Sequence, residues 1–349
     1  MFSDHASQIR AVLRSGCEVE IGGGRHTPKP MATRSHTRMQ VALGFAAIYL
    51  IWGSTYLGIR YAVETIPPLL MMGIRHSVAG VCVYGWARMR GTPAPARRQW
   101  LFAAIAGGLL FLGSHGTLAW AEQKVPSGLA ALLCATLPLW TVLLAAVDGT
   151  ERRLGTRAWA GIVLGFAGVA LLIGPGAWQG QLQWLATATV PFGALLWALG
   201  TSYTRRVNLP SSKILSAAMQ MISGGILLLI TGWVAGESQQ VHAATITPRS
   251  VAALAYLIVF GSIIAFTVYT WLVTVSSPSM LSTYAYVNPV VAVFIGWALA
   301  GEAIGWRTIA AAAIILAGVA LVNRPGKPMI AKHDSQSVST NEACEATGD

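Results

Sequence analysis

SMLSTYAYVNPVVAVFIGWALAGE, residues 279–302, carries no charge until its last residue, Glu302. As a helix it is long enough to cross a hydrocarbon core of about 30 Å. At its centre lies Asn288-Pro289, an amide beside a residue with no N–H to donate. Pro289 frees a carbonyl one turn earlier, which predicts a kink there. Within a membrane, such a break is tolerated where protein or a cavity satisfies the freed groups.

The stretch has a twin. Residues 127–151, SGLAALLCATLPLWTVLLAAVDGTE, again place a proline, Pro138, thirteen residues ahead of an acid, Glu151, as Pro289 precedes Glu302. Further on, AGVALLIGP (Ala167–Pro175) answers AGVALVNRP (Ala317–Pro325) with one residue of slippage. Proline, acid and an AGVAL run in one register indicate an internal duplication.

Composition sets the class. Charged residues are 11% of the 349, hydrophobic residues 54%, and the mean hydropathy is +0.57. Soluble domains carry about 25% charged residues, so the values indicate a polytopic membrane protein. Of the four cysteines, Cys82 and Cys134 fall in apolar spans and Cys17 and Cys344 in polar tails. That distribution suggests neither a disulfide framework nor a metal cluster, and no metal or other cofactor is expected.

Residues 1–38 form a basic tail without the apolar core of a secretory signal, and Met31 is a candidate alternative start. Ten spans are predicted after it: 39–59, 66–87, 100–121, 126–147, 157–174, 184–204, 214–235, 250–273, 279–300 and 307–323. Residues 326–349 are a polar tail. With the N-terminus inside, inside segments hold nineteen Lys and Arg and outside loops four. This bias predicts cytoplasmic termini. The net charge of +11 is thereby a membrane-topology signature, and nucleic acid is not an expected partner. Five spans per half would invert the second half, with repeats at 39–175 and 184–325. Inverted repeats are the frame on which many secondary carriers alternate access.

Three segments carry a family resemblance: IWGSTYLGIRYAVETIPPLLMMGIRH (51–76), AEQKVPSGLAALLCATLPLW (121–140) and STYAYVNPVVAVFIGWALAGE (282–302). In these the chain resembles the drug/metabolite transporter superfamily, specifically EamA-type members of the YedA-like exporter branch. The resemblance implies an all-α inner-membrane carrier of ten transmembrane helices in two EamA repeats, with export as its direction. Its implied substrates are amino-acid metabolites and other small organics.

Arg75 lies mid-span, where a charge is costly unless paired or hydrated and function is the default reading. It could hold a substrate carboxylate; the structural alternative is an Arg bonded to carbonyls freed by Pro138 or Pro289. Trp52 and Tyr56 in the first span, Trp197 and Tyr203 in the sixth, and Tyr284 with Asn288 on one face of the ninth are further substrate-binding candidates. Each could equally be packing or an interface anchor. Gln220 is the expected counterpart of Arg75 in the inverted half.

No acid lies inside a predicted span, unlike the small multidrug pumps of the superfamily, which carry a Glu in their first helix. Neutral, zwitterionic or anionic substrates are therefore expected over lipophilic cations. The alternative is export of drugs or organic cations by proton antiport. If protons are coupled, Glu122, His76 and His115 are the candidates, although a packing role also suits each histidine. Glycines at 107, 108, 161, 165 and 168 suit close helix packing or a dimer face. The sequence does not separate monomer from homodimer.

An intramembrane enzyme needs a nucleophile–base pair at depth. Ser114-His115 are chain neighbours that point to different helix faces, so no enzyme is expected. A channel would need no alternation. No nucleotide-binding motif is present, so pumping would draw on an ion gradient or exchange.

Overall fold

The computed structural model describes residues 38–148, 155–173, 181–242, 244–276, 278–281 and 283–323. The basic tail with Met31, the twin acid Glu151, Pro175 and the C-terminal tail lie outside these residues. All regular structure among the described residues is helical.

Eleven helices carry the argument: α1 (Arg38–Ala62), α2 (Pro68–Met89), α3 (Arg97–Glu122), α4 (Ser127–Cys134), α5 (Leu137–Val147), α6 (Thr156–Ile173), α7 (Gln181–Arg206), α8 (Lys213–Val234), α9 (Pro248–Val275), α10 (Tyr284–Ala300) and α11 (Trp306–Asn323). Six described helical stretches are long and apolar enough to cross a membrane: α1, α3, Ser127–Val147, Trp184–Arg206, α8 and α9. Shorter apolar helices are Thr156–Leu172, Tyr284–Ala300 and Trp306–Val322. The α2 helix, predicted as a span, is outside both groups; Arg75, His76 and Arg88 dilute its apolar run.

The break expected around Pro138 separates α4 from α5. Pro138 is the second residue of α5, and Ala135 and Thr136 turn between the two helices. The Thr136 hydroxyl donates to the Leu133 carbonyl at 2.7 Å, which keeps the buried turn satisfied. Pro289 behaves differently. It sits inside continuous α10, and the chain breaks earlier, at Thr283, behind a single turn at Pro278–Leu281. The carbonyl that Pro289 frees, on Ala285, falls in the first turn of α10. The two prolines therefore share a sequence register but not a place relative to their breaks.

Two unexpected features widen helices. In α3, Gly108–Gly116 is π-helical, and so is Leu257–Ile264 of α9. Such segments in other proteins are frequent at functional sites. Both pack against α2.

The helices pack in clear pairs. The α2 helix runs along α8, α6 along α11, α1 against α9 and α10, α7 against α3 and α5, and α4 against α10. Glycine permits the closest approaches. A Cβ on Gly107 would lie 2.4 Å from the Gln220 carbonyl oxygen, and one on Gly161 would lie 2.7 Å from the carbonyl oxygen of Gly318. Gly107, Gly161, Gly165 and Gly168 thus serve packing within the chain.

Candidate functional site

Arg75 is 5% exposed and points from the middle of α2 at the π segment of α9. Its Nε donates to Ser262 Oγ at 3.0 Å, and Nη1 lies 3.8 Å from Met72 Sδ. No carboxylate among the described residues forms an ion pair with it. Ser262 follows Gly261, whose carbonyl accepts from Trp52 Nε1 at 3.3 Å. A Cβ at Gly261 would meet Thr55 at 2.9 Å and the guanidinium at 3.3 Å, so glycine keeps this approach open. Arg75 and Trp52 therefore meet on one dipeptide of α9.

Trp52 also belongs to a three-ring cluster. Its centroid is 5.2 Å from Tyr269 and 5.3 Å from Tyr284, and the two tyrosines are 6.0 Å apart. One turn beyond Tyr284, Asn288 is buried against Gly53, and its Oδ1 has no hydrogen-bond partner among the described residues. Tyr286 turns away from this face, and its hydroxyl donates to the Val319 carbonyl. Tyr56 lies beside Cys134 and near Glu122.

The neighbouring His76 faces the other π segment. His76 Nε2 and His115 Nδ1 are 2.9 Å apart, a bond in which one neutral ring donates to the other. Phe111 stands 4.4 Å from His76, and Trp197 stacks on His115 at 4.8 Å. His115 is thus engaged with His76 rather than with Ser114.

Two predicted members fall elsewhere. On the antiparallel pair α2–α8, Gly73 faces Leu229, Ser77 faces Gly225 and Gly80 faces Ile222. That register puts Leu227 level with Arg75 and leaves Gln220 seven residues away, roughly 10 Å along the axis. Gln220 bonds Ser216 on its own helix. Glycine contacts, not the repeat offset, set the level. Tyr203 is in the last turns of α7, one residue from Ser202, which bonds Asp148, in the same region as the Arg206–Asp148 ion pair.

The third group lies at one end of the bundle. Glu122 is fully buried, and neither carboxyl oxygen has a hydrogen-bond partner among the described residues. Arg60 donates to the main-chain carbonyl of Glu122. Arg60 also lines a cleft of about 240 Å³ with Tyr61, Glu64, Pro126, Arg249, Ala300 and Glu302. That is smaller than most organic-ligand pockets. Glu302 crosses to α4, accepting from Ser127 N at 2.7 Å, Ser127 Oγ at 2.8 Å and Gly128 N at 3.0 Å. Glu237 does the same for α2, accepting from Leu69 N and Leu70 N. Each carboxylate answers N–H groups that a helix start leaves unpaired.

Sequence reasoning missed Ser262, Tyr269, Arg60 and the helix-capping use of the two acids. A signal for the first existed: LLFLGSH (109–115) and LIVFGSI (257–263) repeat a Gly-Ser pair inside both π segments.

With this geometry in place, known proteins give the family. The profile of the EamA-like transporter family matches residues 39–174 and 186–324. The chain belongs to that family. It is 38% identical over 291 residues to the inner membrane transporter YedA of Escherichia coli strain K12, covering 82% of this chain and 92% of YedA. The transporter YoaV of Bacillus subtilis is 24% identical over 283 residues, covering 80% and 96%. A chloroplastic WAT1-related protein of Arabidopsis thaliana is 25% identical over 288 residues, covering 79% and 68%. A solved crystal structure shares the fold with a TM-score of 0.54 at 22% identity, over 82% of this chain and 98% of the other. This is a membrane protein of a transporter family, and a transporter implies a small-molecule substrate.

Proposed function

We propose that this protein exports small zwitterionic or anionic organic metabolites across the inner membrane by alternating access. The observation that carries the substrate class is Arg75, a buried guanidinium whose only strong bond among the described residues is to a neutral hydroxyl. A substrate carboxylate would supply the missing counter-charge, with two donors available for a bidentate grip. Trp52, Tyr284 and Asn288 would form the wall opposite, and the unpartnered Asn288 Oδ1 would accept from a substrate ammonium.

The frame for alternation is two inverted five-helix repeats that give ten crossings, with α4 and α5 forming one crossing and the turn at Pro278–Leu281 joining α10. Several observations support it. The family profile matches in two successive stretches. The helix pairing keeps its pattern when the halves are exchanged: α1 on α9 answers α7 on α3, and α2–α8 and α6–α11 map onto themselves. The repeats are read as 39–175 and 184–325, with both termini cytoplasmic from the charge bias. The coupling reaction is read as proton exchange, with Glu122, His76 and His115 as its candidate groups.

A second reading, export of organic cations, is favoured by the ring cluster, since aromatic faces attract cations. Arg75 counts against it, because a cation on Trp52 would share Gly261 with a guanidinium in a low-dielectric interior. Metabolite release from cells lacking or overproducing the protein, then counterflow in proteoliposomes across a pH step, tests the proposal. Saturable flux of labelled amino-acid-like or anionic compounds is expected. Flux of organic cations alone would overturn the substrate class, and conductance without saturation would overturn the carrier mechanism.

A further inference from the structure

We propose that Glu122 is the proton carrier of the transport cycle and that Arg60, at the wall of the cleft, is the partner that holds it when ionised. This deepens the carrier reading above and rests on it. A carboxylate is an acceptor only, and burial without any donor is the least tolerable state for it. Here both carboxyl oxygens of Glu122 are buried without a partner among the described residues, the arrangement of a neutral, protonated acid. Yet a charged donor is already at hand, spending one N–H on the main-chain carbonyl of the same residue. The guanidinium carries five donors in a fixed fork. A change of rotamer would move it from the carbonyl to the carboxylate.

The cleft supplies the route. Arg60 belongs both to its lining and, through the bond to the Glu122 carbonyl, to the immediate surroundings of Glu122, so this side chain links cleft water to the acid. The step balances simply. The carboxylic O–H breaks, its proton passes to water on the side then open, and Arg60 takes over the carboxylate. On return, a proton from cleft water restores the acid and releases Arg60 to the carbonyl. The titratable and charged groups within electrostatic reach of Glu122 are Tyr56 and Arg60 of α1, Arg75 of α2, Cys134 of α4 and Glu302 beyond α10. The adjoining stretch of α7, residues 184–192, holds no titratable residue. Arg75 lies within electrostatic reach of Glu122 but forms no ion pair with it. A carboxylate bound at Arg75 and a carboxylate at Glu122 would therefore compete for the same positive field, which links substrate binding to proton uptake. The histidine pair is less suited: its shared bond survives only one added proton, and its rings are enclosed by Phe111 and Trp197 away from the cleft.

Infrared spectroscopy of the full chain in lipid bilayers, titrated with pH, tests this without a known substrate. A protonated carboxylic-acid carbonyl band near neutral pH is expected in the wild type. It should vanish in Glu122→Gln and move in frequency in Glu122→Asp. In Arg60→Met the band should persist to higher pH by about one unit or more, because the ionised form has lost its cation. No such band in the wild type, or one unchanged in Glu122→Gln, would overturn the assignment. An unmoved midpoint in Arg60→Met would overturn the role of Arg60. In proteoliposomes, accumulation of labelled α-amino acids driven by a pH step should be lost in Glu122→Gln and retained in Glu122→Asp. If the wild type moves none of them, the substrate reading fails, while the infrared band still decides Glu122.

Discussion

Replacing Arg75 with methionine separates a functional arginine from a structural one by the sign of the stability change. A charge at the centre of a membrane helix costs about 2.5–3.5 kcal/mol on insertion scales. Against this, Arg75 makes one charge-assisted bond, to Ser262 Oγ at 3.0 Å, and a weak contact with Met72 Sδ. A hydrogen bond to a charged group returns about 1.5–3 kcal/mol. Arg75→Met keeps the apolar stem, removes the charge and forfeits that bond, so the protein should gain about 0–2 kcal/mol while transport of anionic and zwitterionic compounds is lost. Were the arginine instead the structural partner of several buried carbonyls, removing it would leave each of them unpaired at about 1–3 kcal/mol. The assay is thermal unfolding of purified protein in one detergent, followed by size exclusion, alongside counterflow with labelled amino acids. Arg75→Lys checks geometry, since a point charge cannot reproduce the fork. A methionine variant that melts well below wild type, or that transports normally, would refute the reasoning.

Two further predictions concern the frame. Gly107→Ala should destabilise by about 1–3 kcal/mol, since its Cβ would meet backbone atoms of α8 that cannot yield, whereas Gly85→Ala, with nothing within 4 Å, should be neutral or slightly stabilising. Both are read in the same melting assay, and equal effects would sink the packing argument. Glu302→Ala leaves three donors at the start of α4 without their acceptor and should cost about 2 kcal/mol. Gly301→Ala, where φ is +65° and nothing crowds the added methyl, should cost about 1 kcal/mol through backbone strain alone. Denaturation that ranks Gly301→Ala above Glu302→Ala would contradict this account.

Much of the plan was legible in the sequence because the signals are local. Apolar length marks helices, a lone Arg75 in an apolar run stands out without any structure, and Pro138 announces the α4–α5 break. What was illegible depends on how distant elements meet. Nothing near Gln220 in the chain tells that glycine contacts slide α8 past α2 until Leu227, not Gln220, is level with Arg75. The partner of Arg75, Ser262, lies in a π segment, and the Gly-Ser repeat that hints at it gains meaning only once both segments are seen beside α2. Glu302 was visible as the twin of Glu151, yet its partners are 175 residues away at the start of another helix. Glu122 was visible as an acid near a span end; that its oxygens meet no donor among the described residues follows only from the packing of α1, α4 and α7 around the end of α3.

The two carboxylate clasps, Glu302 on α4 and Glu237 on α2, have a consequence for how this end of the protein parts. A seam closed by apolar packing must wet greasy surface to open, and the cost rises with every side chain exposed. Here each bond spans the two halves of the chain and ends on a helix start that water serves nearly as well. Separation would exchange one set of hydrogen bonds for another of similar worth. The clasps thus give the seam register at little cost to its opening, and that cost falls instead on the apolar contacts beside them, such as Leu69 and Leu70 against Gly232.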